Sequence, residues 1–246
     1  ILFYSNAPWA ATGYGQQTAQ LSTRLKEAGN NVAIHANYGL EGATTVWNGF
    51  TVYPKGNSVY SDDVIVAHYL HWAHREPDIK PLLMTLYDVW VFKSKSFDAV
   101  EQIVSWVPID HTPCPPEVLA WCNRPNVTPV AMSLYGQKML HQAGVDALYA
   151  PHGIESVFKP SQGGREILEI PEDRFVVMMN AANKGTVPSR KAFGENILAF
   201  GVFCKNHPEA LLYLHTEKHG VRGINLVDLL KACGVPEANY QFVDQY

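Results

Sequence analysis

The sequence has no run of 18 apolar residues, no C-x-x-C pair and no excess of basic charge. Each absence excludes a class of protein. Without the apolar run no membrane span is visible; peripheral contact with a membrane needs no such run. The four cysteines, Cys114, Cys122, Cys204 and Cys233, are few for 246 residues and are not spaced as a redox or metal pair. Reduced thiols in a cytoplasmic protein are therefore expected. Lys and Arg number 19 against 23 Asp and Glu, a net charge of −4. Sequence-independent binding of duplex nucleic acid asks for the opposite balance. No signal peptide is visible, and the chain opens on strand-like ILFYS without an initiator Met, so a few residues are expected to precede Ile1.

What is present is a core-forming composition, 47% hydrophobic and 17% charged. Short apolar segments alternate with helix-patterned ones. ILFYS, 32–37, 50–54, 63–69, 82–88, 105–110, 127–133 and 146–153 read as strands. Residues 16–28, 97–103, 116–122 and 134–143 read as helices. After residue 160 the alternation starts afresh, with strands at 173–180, 210–217 and 240–243 and helices at 193–204 and 225–233. Such alternation predicts an α/β fold of mainly parallel sheets covered on both faces. The stretch APHGIESVFKP (150–160) divides the two units. Pro151, Gly153 and Pro160 break regular structure, while Ile154, Val157 and Phe158 predict a packed connection. The expected domains are 1–152, a connection at 153–160, and 161–246.

Ligands of parallel sheets bind off the carboxyl ends of strands, which directs attention to Ser5-Asn6, His35, His68, Asp88, Asp110-His111 and Ser133. Asp110-His111 stands before a proline-rich turn. Asp88 lies beside Trp90, a pairing of acid and ring that suits a sugar, whose C–H face stacks while its hydroxyls bind carboxylate. Gly13-Tyr14-Gly15 follows the first strand, but position 18 is Thr, so the G-x-G-x-x-G dinucleotide fingerprint is broken. A glycine loop at a helix N-terminus can still present N–H groups to an anion. Ser133 reads as a helix cap, with Leu140 and Ala143 facing the sheet. His68, His71 and His74 share a three-residue spacing, yet no acid or thiol completes an obvious metal site, and none is expected.

The densest chemical signal is the loop after strand 173–180. Lys184, Arg190 and Lys191, with Asn183 and Gly185, stand before a helix. Cations there repel one another and oppose the helix dipole, and a phosphate would relieve both. Glu217 ends the next strand.

Several of these segments resemble the family 4-like retaining glycosyltransferases of the GT-B fold, of bacterial and phage type. They are Pro151-His152-Gly153-Ile154-Glu155 followed by Phe158 and Pro160, Trp106-x-Pro108-Ile109-Asp110-His111, the 133–144 segment S-L-Y-G-x-x-x-L, and Arg190-Lys191 before a helix. The resemblance implies two Rossmann-like domains facing a cleft. The first would take the acceptor and the second, incomplete in this chain, a nucleotide-diphosphate sugar. It implies metal-independent hexosyl transfer with retention and no cofactor beyond the donor. Lys191 and Arg190 would hold the diphosphate, with Gly13, Tyr14, Gly15, Asn183, Lys184 and Glu217 also on the donor. Asp110 and His111 would orient substrate in the cleft, lined by Asp88, Trp90, His152 and Gly153. The acceptor is left open among glycan, lipid, protein and modified nucleic-acid base. The family's Gly-Arg before the basic loop is replaced here by 179–184, MNAANK. Its E-x7-E acids are expected further along a longer chain, since a full nucleotide domain needs roughly five or six strands. Rival readings are another GT-B enzyme (an epimerase or phosphorylase), a NAD-binding Rossmann protein, and a non-catalytic or degenerate partner subunit.

Overall fold

The computed structural model describes residues 1–75, 79–185, 189–220 and 222–243. The chain forms two compact units, Ile1–Val157 and Phe158–Tyr246.

The first unit is built on strands β1 (Leu2–Ser5), β2 (Ala33–Ala36), β3 (Thr45–Trp47), β4 (Phe50–Tyr53), β5 (Leu83–Leu86), β6 (Ile103–Val107), β7 (Val127–Ala131) and β8 (Leu148–Tyr149). They form one eight-stranded sheet in the order β3-β4-β2-β1-β5-β6-β7-β8. Only β3 runs antiparallel, paired with β4. Helices α1 (Gly13–Glu27), α2 (Ile65–Ala73), α3 (Pro116–Cys122) and α4 (Leu134–Gln142) connect them. Alternation along β1 assigns the faces. Leu2 and Tyr4 join a core with Ile65 and Tyr69 of α2, Trp121 of α3 and Leu140 of α4. Phe3 packs the other way, with Leu86, Trp106 and Leu21 of α1. Thr12 caps α1 and Ser133 caps α4 through side-chain oxygens, and each helix stops at a left-handed glycine, Gly29 and Gly144.

The second unit carries α5 (Gly164–Ile167), β9 (Phe175–Asn180), α6 (Phe193–Cys204), β10 (Ala210–His215), α7 (Leu226–Ala232) and β11 (Tyr240–Phe242). Its strands pair in parallel in the order β11-β10-β9. Phe193, Ile197, Phe200 and Cys204, spaced for one helix face, are all buried.

Four expectations are corrected. Residues 63–69, read as a strand, lie largely in α2. Both edges of β2 are already taken by β1 and β4, and Ser61 starts a helical turn by accepting from the Val64 and Ile65 amides. His68 therefore sits on a helix and not at a strand end. Residues 97–103, read as a helix, give a 3-10 turn at Lys95–Ala99 before β6, whose β-branched Ile103 and Val104 pair with β5. Ala143 is exposed, because α4 rests on Gly136, Met139 and Leu140. Ile154, Val157 and Phe158 are exposed rather than packed. The stretch around them forms neither helix nor strand that would turn them onto a core.

The α2 histidines meet different partners. His35 of β2 is fully buried with its Nδ1 2.9 Å from Nδ1 of His68, which stacks on Tyr53. The Tyr53 hydroxyl reaches His71 Nδ1 at 2.6 Å, and His74 turns to the Leu70 carbonyl. The Nε2 of His35 is buried without a hydrogen-bond partner among the described residues. A lone pair is less costly there than an orphaned N–H, so His35 donates from Nδ1 and His68 accepts. Protonating either ring then breaks the arrangement. Burial, then the neighbouring His68, lowers the His35 pKa to about 3, against a smaller opposing effect of Asp63. Burial, then His71, lowers that of His68, again opposed by Asp63.

The unfolded chain thus binds protons that the folded one refuses. The stability contribution is complete above the ordinary histidine range near pH 6.5 and drains as pH falls toward about 3. Urea midpoints at pH 7.5, 6.0 and 5.0 should fall for the native chain, by up to ~1.4 kcal/mol per pH unit from His35. In His35→Phe the acid-side slope should be shallower; an unchanged slope would show that the pair does not govern it.

Candidate substrate-binding edge and basic loop

Each unit gathers its candidate residues beyond the carboxyl ends of its parallel strands.

In the first unit the register of β1 against β2 and β5 brings the segments after these strands together. Asn6, just past β1, donates to Thr12 Oγ1 at 2.9 Å, and Thr12 in turn accepts from the Gly15 amide at 3.0 Å. Gly13 and Gly15 belong to the first turn of α1 and not to a loop before it. The Gly15 N–H is thus engaged within the chain. A Cβ on Gly15 would lie 2.3 Å from the Ala10 carbonyl oxygen and 2.8 Å from that of Ala7. Glycine is needed there for the close approach of loop and helix.

Tyr14 faces the carboxylate of Asp88. Its hydroxyl is 3.5 Å from Asp88 Oδ2. Burial first, then Asp88 and the more distant Asp110, push the phenol above its ordinary range. Tyr14 therefore stays a neutral hydrogen-bond donor. Asp88 precedes the 3-10 turn Val89–Val91 without a side-chain cap bond to it, and Trp90 projects from that turn into solvent. Asp110 and His111 form an exposed pair, Oδ1 to Nδ1 2.5 Å. They stand beyond the end of β6 at Val107, because the strand stops three residues before the predicted end at Asp110. Thr112 bonds the Tyr135 hydroxyl. Tyr14, Asp88, Trp90, Asp110 and His111 are thus assembled on one edge.

His152 packs on Trp106, ring centroids 4.4 Å apart, and burial lowers its pKa. The Gly153 carbonyl accepts from Gln17 at 3.2 Å. Gly153 also lines a groove of about 340 Å³ floored by Met84, Trp106 and Val130. Gly153 is thus placed at this groove, and His152 adjoins it through Trp106.

In the second unit, Lys184, Arg190 and Lys191 are exposed, and among the described residues none is in an ion pair. Thr186, Val187 and Pro188 of the same loop lie outside the described residues. The loop closes on itself through the Arg190 amide to the Lys184 carbonyl, 3.3 Å, and is tied to the next loop by the Gly185 amide to the Arg222 carbonyl, 2.7 Å. It delivers the chain to α6 with Ala192 in a left-handed conformation and no side-chain cap. The amides of the first turn of α6 are left to other acceptors.

Asn183, read as a donor contact, has its amide engaged by the protein. Its Nδ2 donates to the Glu217 and Ile224 carbonyls at 3.2 and 2.8 Å, and its Oδ1 accepts from the Ile224 amide at 3.1 Å. It therefore positions the loop beside exposed Glu217. Two groups were missed from sequence. The hydroxyls of Ser189 and Thr216 are buried with no hydrogen-bond partner among the described residues. Thr216 directly follows β10, so the strand-end rule that selected Glu217 would have found it.

The chain superposes on an α,α-trehalose-phosphate synthase (UDP-forming) from Burkholderia vietnamiensis with a TM-score of 0.59. The match covers 100% of this chain and 73% of that one at 11% identity. It shows the fold, GT-B with Rossmann-like α/β units. Neither a protein-family model nor a curated protein matches the sequence.

Asn183→Ala removes three hydrogen bonds and leaves the partly buried Ile224 amide without this acceptor. Unfolding of the second unit should become easier by about 2–3 kcal/mol, at roughly 1 kcal/mol per bond. Urea denaturation checks this. Unchanged stability would show that the amide does not hold the loop.

Proposed function

We propose that the chain is a glycosyltransferase of the retaining, nucleotide-sugar type, with the second unit holding the donor diphosphate and the first placing the acceptor. One observation carries the reading: three exposed cations, unpaired among the described residues, beside a helix whose first turn has no side-chain cap. Such a place suits a di-anion, which would relieve the repulsion among the cations and satisfy helix amides together. The buried hydroxyls of Ser189 and Thr216 are further donors for it. The likeness to a UDP-forming synthase agrees with a nucleoside diphosphate as the leaving group.

In this reading Lys191 and Arg190, helped by Lys184, stabilise the negative charge that builds on the departing diphosphate. That charge is greater in the transition state than in the bound donor, so the cations accelerate the bond-breaking step rather than merely tightening binding. The donor phosphate takes the acceptor proton on the face from which it leaves, so no protein nucleophile is called for and the anomeric configuration is kept. Asp110 and His111 orient the reacting hydroxyl. The proposed chemistry calls for no metal.

A thermal-shift panel with UDP, GDP, ADP and NAD tests this. A nucleoside diphosphate at about 100 times its dissociation constant should stabilise the protein by ~2.7 kcal/mol. The shift should vanish in Lys191→Ala, and turnover should drop by about 10²-fold or more, as for loss of one electrostatic donor. A shift with NAD alone would replace the reading with a dehydrogenase, and no shift at all would favour a non-catalytic module.

A further inference from the structure

The strands β2, β1, β5, β6 and β7 are consecutive neighbours in the first sheet. Each ends in a segment that exposes one ring. Tyr38 follows β2 and is 59% exposed, Trp9 follows β1 at 43%, Trp90 follows β5 at 50%, and Tyr135 follows β7 at 45%. The exposed imidazole of His111 follows β6. Single exposed rings scattered over a surface carry no meaning. One at the end of each of five adjacent strands is a row.

The row is held in place. Trp9 Nε1 donates to the Gly39 carbonyl at 2.8 Å, and the Ala7 amide donates to the Tyr38 carbonyl at 2.7 Å, which joins the first two rings. Asn6 links that loop to Tyr87 and Thr12, and Tyr14 links it to Asp88 beside Trp90. Thr112, next to His111, bonds Tyr135. At ~4.8 Å between strands the row spans about 19 Å.

Its charge is one-sided. The five segments, 6–12, 37–40, 87–91, 108–112 and 132–135, contain Asp88 and Asp110 and no lysine or arginine. Ring faces stack on the C–H faces of pyranoses, and carboxylates accept hydrogen bonds from their hydroxyls. The same carboxylates repel a phosphodiester or uronate chain.

We infer that this row binds the acceptor, and that the acceptor is an uncharged oligosaccharide laid across the carboxyl edge of the sheet from Tyr38 to Tyr135. The inference rests on the transferase reading for the word acceptor, and the surface itself can be tested apart from it. Trp9 and Trp90 are the anchors, being the two indoles and so the largest rings in the row, and Asp88, next to Trp90, accepts from a sugar hydroxyl.

The test is saturation-transfer NMR of the 246-residue chain with neutral pentasaccharides of glucose, mannose, galactose and N-acetylglucosamine, and with pentagalacturonate. At least one neutral pentasaccharide should bind saturably. Trp90→Ala and Trp9→Ala should each weaken it about tenfold, a typical loss for an interfacial aromatic anchor. Trp90→Tyr, which keeps a ring, should bind within about threefold of the native chain. Binding of none of the neutral sugars, equal binding of pentagalacturonate, or undiminished binding by both alanine variants would overturn the inference. The nucleoside diphosphate shift, measured on the same preparations, reports the donor reading separately. Its loss without loss of sugar binding would sink the transferase and spare the sugar surface, and the reverse would sink the surface alone.

Discussion

Parallel pairing of β1 with β2 on one side and β5 on the other is the constraint on which the first unit depends. Leu2 faces both Ala33 and Leu83 across the ladder, and every residue of the strand is buried. Parallel strands start at one edge and finish at the other, so their connections must return across a face. All the segments that leave the carboxyl edge are thereby neighbours, however far apart they lie in sequence. Tyr14 reaches Asp88 across 74 residues for this reason. The glycine at position 15 serves the same end, since it lets α1 start hard against the loop that leaves β1.

Polar groups inside the first unit are tied down wherever β-strand sequence would otherwise bury them unpaired. Thr85 donates to Ser105 Oγ at 2.9 Å, and Trp121 Nε1 reaches the same oxygen at 2.8 Å, which fixes α3 to β5 and β6. Ser61 donates to Asn37 Oδ1 at 2.5 Å and anchors the approach to α2. His35 against His68 is the exception that is half satisfied, and it is therefore sensitive to protons. It lies within β2 and α2 rather than in the segments beyond the strand ends.

The two units carry opposite local charge, which the net −4 hides. The strand ends of the first are acidic and aromatic, and the basic loop of the second is cationic, with the buried hydroxyls of Ser189 and Thr216 lacking a hydrogen-bond partner among the described residues. An uncharged polyol suits the former and a diphosphate the latter. A sugar-transfer reaction needs both chemistries, and the division of charge follows the division of the fold.

Much of this was legible in the sequence. Alternating short apolar segments, the cap residues Thr12 and Ser133, and the terminating glycines determine parallel sheets with helices on both faces, because local periodicity and capping are properties of neighbouring residues. The strand-end rule selected Asp88 and Asp110-His111, which the fold gathers on one edge, and the charge pattern selected Lys184, Arg190 and Lys191, which it leaves exposed. Residues 63–69 were misread because an apolar run of that length fits either a strand or a buried helix, and only the occupied edges of β2 decide. Asn183 looked like a ligand contact because its three backbone partners, 34 to 41 residues away, are invisible in sequence. The row of exposed rings was equally hidden, since Trp9, Tyr38, Trp90 and Tyr135 sit in four separate segments. The sequence by itself determined which segments fold and which chemistry-bearing residues follow the strands. Tertiary structure alone decided which side chains meet there, because strand order, and not sequence order, sets who stands beside whom.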